Sequence, residues 1–334
     1  MMVILANPRG FCAGVERAVD TVRRALVCFG APIYVRHEIV HNRQVIEELT
    51  RLGAVFIEEI SEIPIGSVLI FSAHGVSPQI EAEAASRGLH IINGTCPLVT
   101  KVHLEVAEHS HAGRTVFLIG HKDHVEVQGT LGHCRSTGQI HIIENESDAM
   151  SVQVTPDTPV AYVTQTTLSV NDTARIVERL RSRFPELRGP HTDDICYATQ
   201  NRQQAVIELA QRCNVIVVIG AAHSSNSLRL REVAMAQGTP AHQVDRAAQL
   251  ERSWFDGCLS IGVTSGASTP EPAVAEVMST FRGWWPMLQE SAIGEPETIH
   301  FRLPHGIVTK HGMPGSRHQP GLAESKTIRR WGTA

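Results

Sequence analysis

The sequence predicts an α/β fold of three domains with mainly parallel sheets, arranged with pseudo-threefold symmetry around a central site. Short β-branched runs alternate with amphipathic helical patterns along nearly the whole chain, which is typical of parallel sheets. Cys12, Cys96 and Cys196 stand 84 and 100 residues apart, each at the end of a loop and the start of a helical pattern. A chain of 334 residues is long for one hydrophobic core, and units of this size fit these spacings.

Nine segments rich in β-branched and apolar residues are predicted to be strands. In chain order they are residues 33–36, 54–57, 68–71, 89–92, 115–119, 140–143, 160–163, 215–219 and 259–263. Amphipathic stretches lie between them, such as the one that carries Val15, Val19, Val22 and Leu26 at helical spacing. The glycine-rich turns that bind dinucleotides or nucleotide phosphates are absent from the sequence.

The three cysteines set the predicted domain boundaries. The first domain covers residues 1–95, the second 96–193 and the third 194–300. Residues 301–334 form a tail rich in Gly, Pro, His and Arg, with six Lys or Arg against the single acid Glu324. This composition predicts a flexible segment, and a weak contact with an anionic surface is the alternative.

Composition and charge exclude several classes of protein. The chain is 42% hydrophobic and 19% charged, and its net charge of −4 argues against broad affinity for nucleic acid or membranes. No apolar run approaches the roughly 18 residues of a membrane span, and the apolar part of MMVILANPRG is too short for a signal peptide. Seven cysteines without a paired spacing indicate a reducing, cytoplasmic compartment.

Cys12, Cys96 and Cys196 are candidate ligands of an iron–sulfur cluster in which one iron has no protein ligand and can bind a substrate. A helix N-terminus favours the thiolate form, and Gly10 and Gly14 let the backbone pass close to a bulky cofactor. Structural zinc sites and ferredoxin-type clusters use closely spaced cysteines, which do not occur here. The alternative that one of these three cysteines is a catalytic thiol stays open on composition alone. The other four cysteines, at positions 28, 134, 213 and 258, are predicted to be structural.

Polar residues follow the predicted strands and indicate an anion pocket. Ligands of open α/β sheets bind beyond the carboxyl ends of the strands. Imidazolium, hydroxyl and amide groups all donate to phosphate oxygens, and these loops hold few lysines or arginines. The candidate anion-binding residues are His41, His74, His124, Ser224, Ser225, Asn226 and Ser268.

Glu126 is the candidate proton donor of this pocket. It stands two residues after His124, in a stretch without the HExxH pattern of zinc enzymes. A carboxyl group beside an anion site and a cluster is well placed to deliver protons, and Thr166 and Thr167 could relay them or orient the substrate.

Eight motifs stand in order between about Val3 and Arg282: NPRGFCAGV, APIYVRHEIVHNRQV, FSAHGVS, TCPLVTKVH, TQTTLSVNDT, DDICYATQNRQ, SSNSLRL and GVTSGAS. With these motifs the chain resembles the 4-hydroxy-3-methylbut-2-enyl diphosphate reductases of the methylerythritol phosphate route to isoprenoids. Position 125 is Val where this family usually has Pro, which predicts a more mobile loop around Glu126.

The resemblance implies an enzyme with three α/β domains around a 4Fe–4S cluster held by Cys12, Cys96 and Cys196. An exposed iron is expected to be lost in air, which would leave a 3Fe–4S form or an empty site. The implied reaction is a reductive dehydroxylation to isopentenyl and dimethylallyl diphosphates, with Glu126 delivering the proton, Thr166 beside the substrate and the seven anion-binding residues holding the diphosphate. The implied partners are the allylic diphosphate and a flavodoxin or ferredoxin, and the protein would be a monomer or homodimer.

Three alternatives stay open on the residues alone. A non-catalytic iron–sulfur redox sensor of the same fold would need the cysteines but not Glu126 and Thr166. A reductase of another small diphosphate would use the same site. A zinc hydrolase would contain zinc without acid-labile sulfide.

Overall fold

The computed structural model describes residues 1–136, 139–155, 157–304 and Ile307. Within these residues the chain folds into three sheets flanked by helices, and every pairing between named strands is parallel. The predicted α/β class with mainly parallel sheets is therefore confirmed.

Twelve strands occur in the described part of the chain. They are β1 Met2–Ala6, β2 Ile33–Arg36, β3 Ala54–Ile57, β4 Val68–Phe71, β5 His90–Asn93, β6 Thr115–Ile119, β7 Ile140–Ile143, β8 Val160–Thr164, β9 Val215–Ile219, β10 Ala241–Val244, β11 Ser260–Ser265 and β12 Gln289–Ile293. The nine predicted strands all occur, with ends within two residues of the prediction, and β1, β10 and β12 are additional.

The same residues hold ten α-helices. They are α1 Ala13–Phe29, α2 Arg43–Arg51, α3 Pro78–Ser86, α4 Pro97–His111, α5 Val125–Leu131, α6 Glu146–Ser151, α7 Val170–Arg183, α8 Tyr197–Ala210, α9 Ser225–Ala236 and α10 Glu271–Trp284. Cys12, Cys96 and Cys196 are the N-cap residues of α1, α4 and α8, as the sequence predicts.

Each sheet and the helices packed against it form one structural unit, and the three units are numbered here in the order of their sheets. The first sheet has the strand order β3-β2-β4-β5, the second β7-β6-β8, and the third β10-β9-β11-β1-β12. Helix α1 packs against β2, α4 against β6 and β8, and α8 against β1, β9 and β11. Each cysteine therefore begins a helix of a different unit.

Strand β1 departs from the simple order of the chain. It lies between β11 and β12 in the third sheet, with Val3 in register with Ile261, although the predicted first domain begins at residue 1. The reason is burial on both faces, because Val3 and Ala6 are fully buried among the strands and helices of the third unit. The boundaries near residues 95 and 193 stay a prediction.

The start of the predicted tail is packed against the first unit. Ile307 is buried in the same apolar cluster as Val19 and Ile33. The carbonyl oxygen of Arg302 accepts a hydrogen bond of 2.8 Å from Arg17. The prediction of a flexible tail from residue 301 does not fit these two positions, because apolar burial and a hydrogen bond restrain them. Residues 305, 306 and 308–334 lie outside the described part of the chain.

Among the described residues, none of the helices combines the length and the apolarity that crossing a membrane requires.

Candidate active site

One cavity of about 100 Å³ lies where the three units meet. All of the candidate residues named from the sequence line it: Cys12, His41, His74, Cys96, His124, Glu126, Thr166, Thr167, Cys196, Ser224, Ser225, Asn226 and Ser268. Most of these residues lie in loops that follow the carboxyl ends of strands in three sheets, so the topology explains why residues so distant in sequence converge.

The three cysteines sit at the junctions between units. The Cys12 N–H donates to Ala267 O at 3.1 Å, the Cys96 N–H to Ala73 O at 3.0 Å, and the Cys196 N–H to Thr166 O at 3.1 Å. In each case the acceptor lies in the loop after a strand of the unit that the chain is leaving. The same local arrangement thus occurs three times around the cavity.

The cysteine thiols form a donor set suited to an iron–sulfur cluster. Burial, and next the nearby Cys12, raises the pKa of Cys96 to about 12 and that of Cys196 to about 11. Three thiolates that face one cavity would repel one another, so a group that brings positive iron among them would offset both the desolvation and the repulsion. A Cβ built at Gly14 would stand 2.7 Å from Cys96 Sγ, which shows that glycine is needed for the thiol to occupy this position.

Thr199 also contacts this thiol group, and sequence reasoning did not identify it. Its hydroxyl lies 3.1 Å from Cys196 Sγ, and its backbone N–H donates to the same sulfur at 3.4 Å. Because Thr199 is three residues after an N-cap, the predicted helix start was a sufficient signal to find it.

The histidines that follow three strands face one another. The ring centroids of His41 and His74 are 4.3 Å apart, and His124 lies 5.6 Å from His41 and 6.0 Å from His74. Burial, and next the neighbouring His41, lowers the pKa of His124 to about 3 and that of His74 well below its usual range. These two rings are therefore neutral in the free protein, whereas the sequence suggested imidazolium donors. A bound anion would raise both pKa values.

The hydroxyl and amide residues are already engaged in the fold. Ser268 Oγ donates to His41 O at 3.0 Å, and Asn226 Oδ1 accepts from the Ala267 N–H at 2.8 Å. Ser224 is the N-cap of α9 and accepts from the Ser227 N–H. An anion beside the start of α9 would also meet the free N–H groups of its first turn.

Thr167 and Ser225 link the second and third units. Their hydroxyl oxygens lie 3.0 Å apart, and the amide of Gln165 donates to Thr167 Oγ1 at 2.9 Å. Gln165 was not predicted as a site residue, although it lies within the TQTTLS motif and is 1% exposed.

Glu126 is buried and tightly restrained. Its carboxylate accepts hydrogen bonds from the Thr166 N–H at 2.6 Å and from Thr166 Oγ1 at 2.9 Å, and its own N–H donates to His124 Nδ1 at 3.2 Å. These bonds fix Glu126 although Val125, at the first position of α5, predicts a mobile loop. Burial raises the pKa of Glu126 to about 7, so the group can both hold and release a proton near neutral pH.

The four remaining cysteines lie away from the cavity lining. Cys213 is buried against the third sheet, and Cys28 is exposed near the end of α1. Cys134 Sγ donates to Ser136 O, and Cys258 packs beside the core of the third unit.

The chain is similar to one protein family along most of its length. A family model described as LytB protein matches residues 3–282. The chain is 53% identical over 306 residues to a 4-hydroxy-3-methylbut-2-enyl diphosphate reductase of Pseudomonas entomophila, covering 91% of this chain and 97% of that protein. It is 50% identical, with the same coverage, to the enzyme of that name from Acinetobacter baylyi.

Two solved structures are also similar. The E-1-hydroxy-2-methyl-but-2-enyl-4-diphosphate reductase of Plasmodium falciparum matches with a TM-score of 0.88 and 38% identity, covering 92% of this chain and 96% of that one. A second structure, described as the terminal enzyme of the non-mevalonate pathway, matches with a TM-score of 0.61 and 31% identity, covering 84% and 99%.

Proposed function

The chain belongs to the LytB protein family, and from this premise we propose that it is a 4-hydroxy-3-methylbut-2-enyl diphosphate reductase. The reaction is the two-electron reductive dehydroxylation of this diphosphate to isopentenyl and dimethylallyl diphosphates, with two protons consumed and water released. It is the terminal step of the non-mevalonate pathway. The observation that carries the proposal is the convergence of three cysteines, three histidines and Glu126 on one cavity.

Cys12, Cys96 and Cys196 would hold a 4Fe–4S cluster. When bound, this cluster supplies the electrons and a Lewis-acidic iron for the substrate hydroxyl. The support is the position of the three thiols at helix N-termini, the space that Gly14 leaves beside Cys96, and the raised pKa values of Cys96 and Cys196, which positive iron would lower.

The diphosphate would be held by His41, His74 and His124 on one side and by the start of α9 on the other. Buried neutral rings donate one N–H each, and the protonation of His74 or His124 becomes favourable only when the anion arrives.

Glu126 would deliver a proton to the departing hydroxyl. Its carboxyl group is 3% exposed and held by Thr166, so its position does not depend on solvent. A buried acid with a pKa of about 7 transfers a proton readily at neutral pH. Thr166 keeps the carboxyl orientation, and the apolar side chains of Val40, Val99 and Leu98 limit the access of water.

The proposed electron donor is a flavodoxin or a ferredoxin, because the reaction needs electrons that the substrate does not supply. The proposed compartment is the cytoplasm, where a buried thiol-ligated cluster is protected from oxidation.

Anaerobic turnover tests the proposal. Protein shown to contain iron and acid-labile sulfide is mixed with 4-hydroxy-3-methylbut-2-enyl diphosphate and a chemically reduced viologen dye. The expected result is substrate-dependent oxidation of the dye, with both five-carbon diphosphates as products. Absence of turnover in such protein would refute the proposal and favour a redox sensor of the same fold.

Glu126→Gln separates the proton role from the structural one. The amide can keep both contacts with Thr166, because its oxygen accepts from the N–H and its NH2 donates to the hydroxyl. Turnover should fall by about 10²–10⁴-fold with iron and sulfide unchanged. Glu290→Gln is the control, since Glu290 pairs with Arg282 on the surface. Equal turnover in the two variants would exclude Glu126 as the proton donor.

A further inference from the structure

Three side chains at the edge of the cavity bring their ligand atoms together. Glu38 Oε2 lies 3.2 Å from His41 Nδ1 and 2.9 Å from His223 Nε2. The three atoms are all within 4.8 Å of one another. His223 is absent from the cavity lining and has no part in the proposed reaction.

Two units contribute to this group. Glu38 and His41 lie in the loop between β2 and α2, and His223 lies in the loop between β9 and α9. Their side chains are 39%, 18% and 54% exposed, so the group is open to solvent while His41 also lines the cavity. A metal ion could therefore reach the group without passing through the cavity.

The ligand types and spacings suit zinc. Two imidazole nitrogens and one carboxylate oxygen are a common zinc ligand set, with the fourth position left to water. Bonds of about 2.05 Å in a tetrahedral site separate the ligand atoms by about 3.3 Å. The separations of Glu38 Oε2 from the two ring nitrogens, 2.9 and 3.2 Å, are close to this value, and the two nitrogens lie within 4.8 Å of each other. Hydrogen bonds and charge from the two histidines keep the pKa of Glu38 below its usual range, so its carboxylate is ionised at neutral pH.

We propose that Glu38, His41 and His223 form a binding site for a divalent transition metal of the zinc class at the edge of the cavity. This site is separate from the three cysteines, and its test rests on the proposed cluster only because the cluster keeps zinc off those thiols. A metal on His41 Nδ1 leaves the proton on Nε2, so its binding fixes the tautomer of a ring that lines the cavity.

Zinc binding to the cluster-loaded protein tests this site. Under anaerobic conditions, zinc is titrated in competition with a chromogenic chelator, and the iron content is measured in the same samples. The expected result is one zinc per chain with no loss of iron. His223→Asn and Glu38→Gln should each weaken this binding at least about tenfold, because each removes a ligand.

His191→Asn is the matched control. His191 is 75% exposed, and its Nε2 lies 3.7 Å from Glu108 Oε2. This is also a histidine–glutamate pair, but among the described residues no third ligand lies beside it. The His191→Asn variant should bind zinc with the affinity of the wild type. The proposal is overturned if His223→Asn binds zinc as tightly as the wild type, if the wild type binds zinc only at millimolar concentrations, or if uptake of zinc occurs with loss of iron.

Discussion

Replacement of Gly14 by alanine tests the fit between the cysteines and a cluster. Gly14 is the second residue of α1, and an added Cβ would stand 2.7 Å from Cys96 Sγ and 3.9 Å from Cys12 Sγ. Ordinary non-bonded contacts of carbon begin at about 3.5 Å. Cys96 Sγ must therefore move by roughly 1 Å or take another rotamer.

The expected effect on folding is small, and the effect on the cluster is large. Alanine gains about 1 kcal/mol of helix propensity over glycine, and overpacking costs about 1–3 kcal/mol. The free energy of unfolding should therefore fall by no more than about 2 kcal/mol. Metal–ligand distances tolerate only about 0.2 Å, so a thiol displaced by about 1 Å loses its iron.

The assay is anaerobic reconstitution followed by measurement of iron and acid-labile sulfide per chain, together with thermal unfolding. Gly14→Ala should retain less than about half of the wild-type iron and sulfide. Gly283→Ala, near the end of α10, is the control, because nothing lies within 4 Å of its added Cβ. It should load fully and gain about 0.5–1 kcal/mol. Full iron and sulfide in Gly14→Ala would refute the steric reasoning.

Two further predictions concern stability. Arg202 is fully buried and donates to Gly10 O at 2.8 Å and to Glu297 at 3.0 Å, so Arg202→Met should cost about 3–5 kcal/mol in denaturant unfolding. Arg282→Met is the control, because Arg282 pairs with Glu290 on the surface, and it should lower the free energy of unfolding by less than about 1 kcal/mol. Equal losses of stability in the two variants would contradict this prediction. Burial, and next the nearby His133, lowers the pKa of His103 from 6.5 to about 3. Between these two pH values the unfolded chain therefore binds one proton more than the folded chain. The free energy of unfolding should fall as the pH drops from 6.5 towards 3. His103→Gln should reduce that slope by about 1.4 kcal/mol per pH unit, and an unchanged slope would exclude the effect.

Local sequence predicted most of the fold because each unit repeats one simple pattern. A buried parallel strand needs a run of apolar residues, and VIVVI and TVFLI supply it unambiguously. A polar residue after such a strand then lies at the carboxyl edge of its sheet. The convergence of His41, Thr166 and Ser268 follows from this geometry together with the order of the strands.

The remaining features depend on contacts that no local pattern contains. Strands β10 and β12 are at the edges of the third sheet, and their sequences AHQV and QESAI lack an apolar run, so pairing with a neighbour makes them strands. Glu38 and His223 are 185 residues apart, and only the packing of two units joins them. Strand β1 was also missing from the prediction, but for another reason: its apolar run MVILA was a sufficient local signal and was overlooked.

The three cysteine amides have a consequence for the dynamics of the molecule. Each of these N–H groups donates to the unit that the chain has just left, while its thiol faces the cavity shared by all three. A rotation of any unit away from its neighbour would lengthen one of these bonds and displace one thiol at the same time. Hydrogen exchange at these amides should therefore slow together when the thiols are ligated, which makes them a joint reporter of how firmly the three units are held.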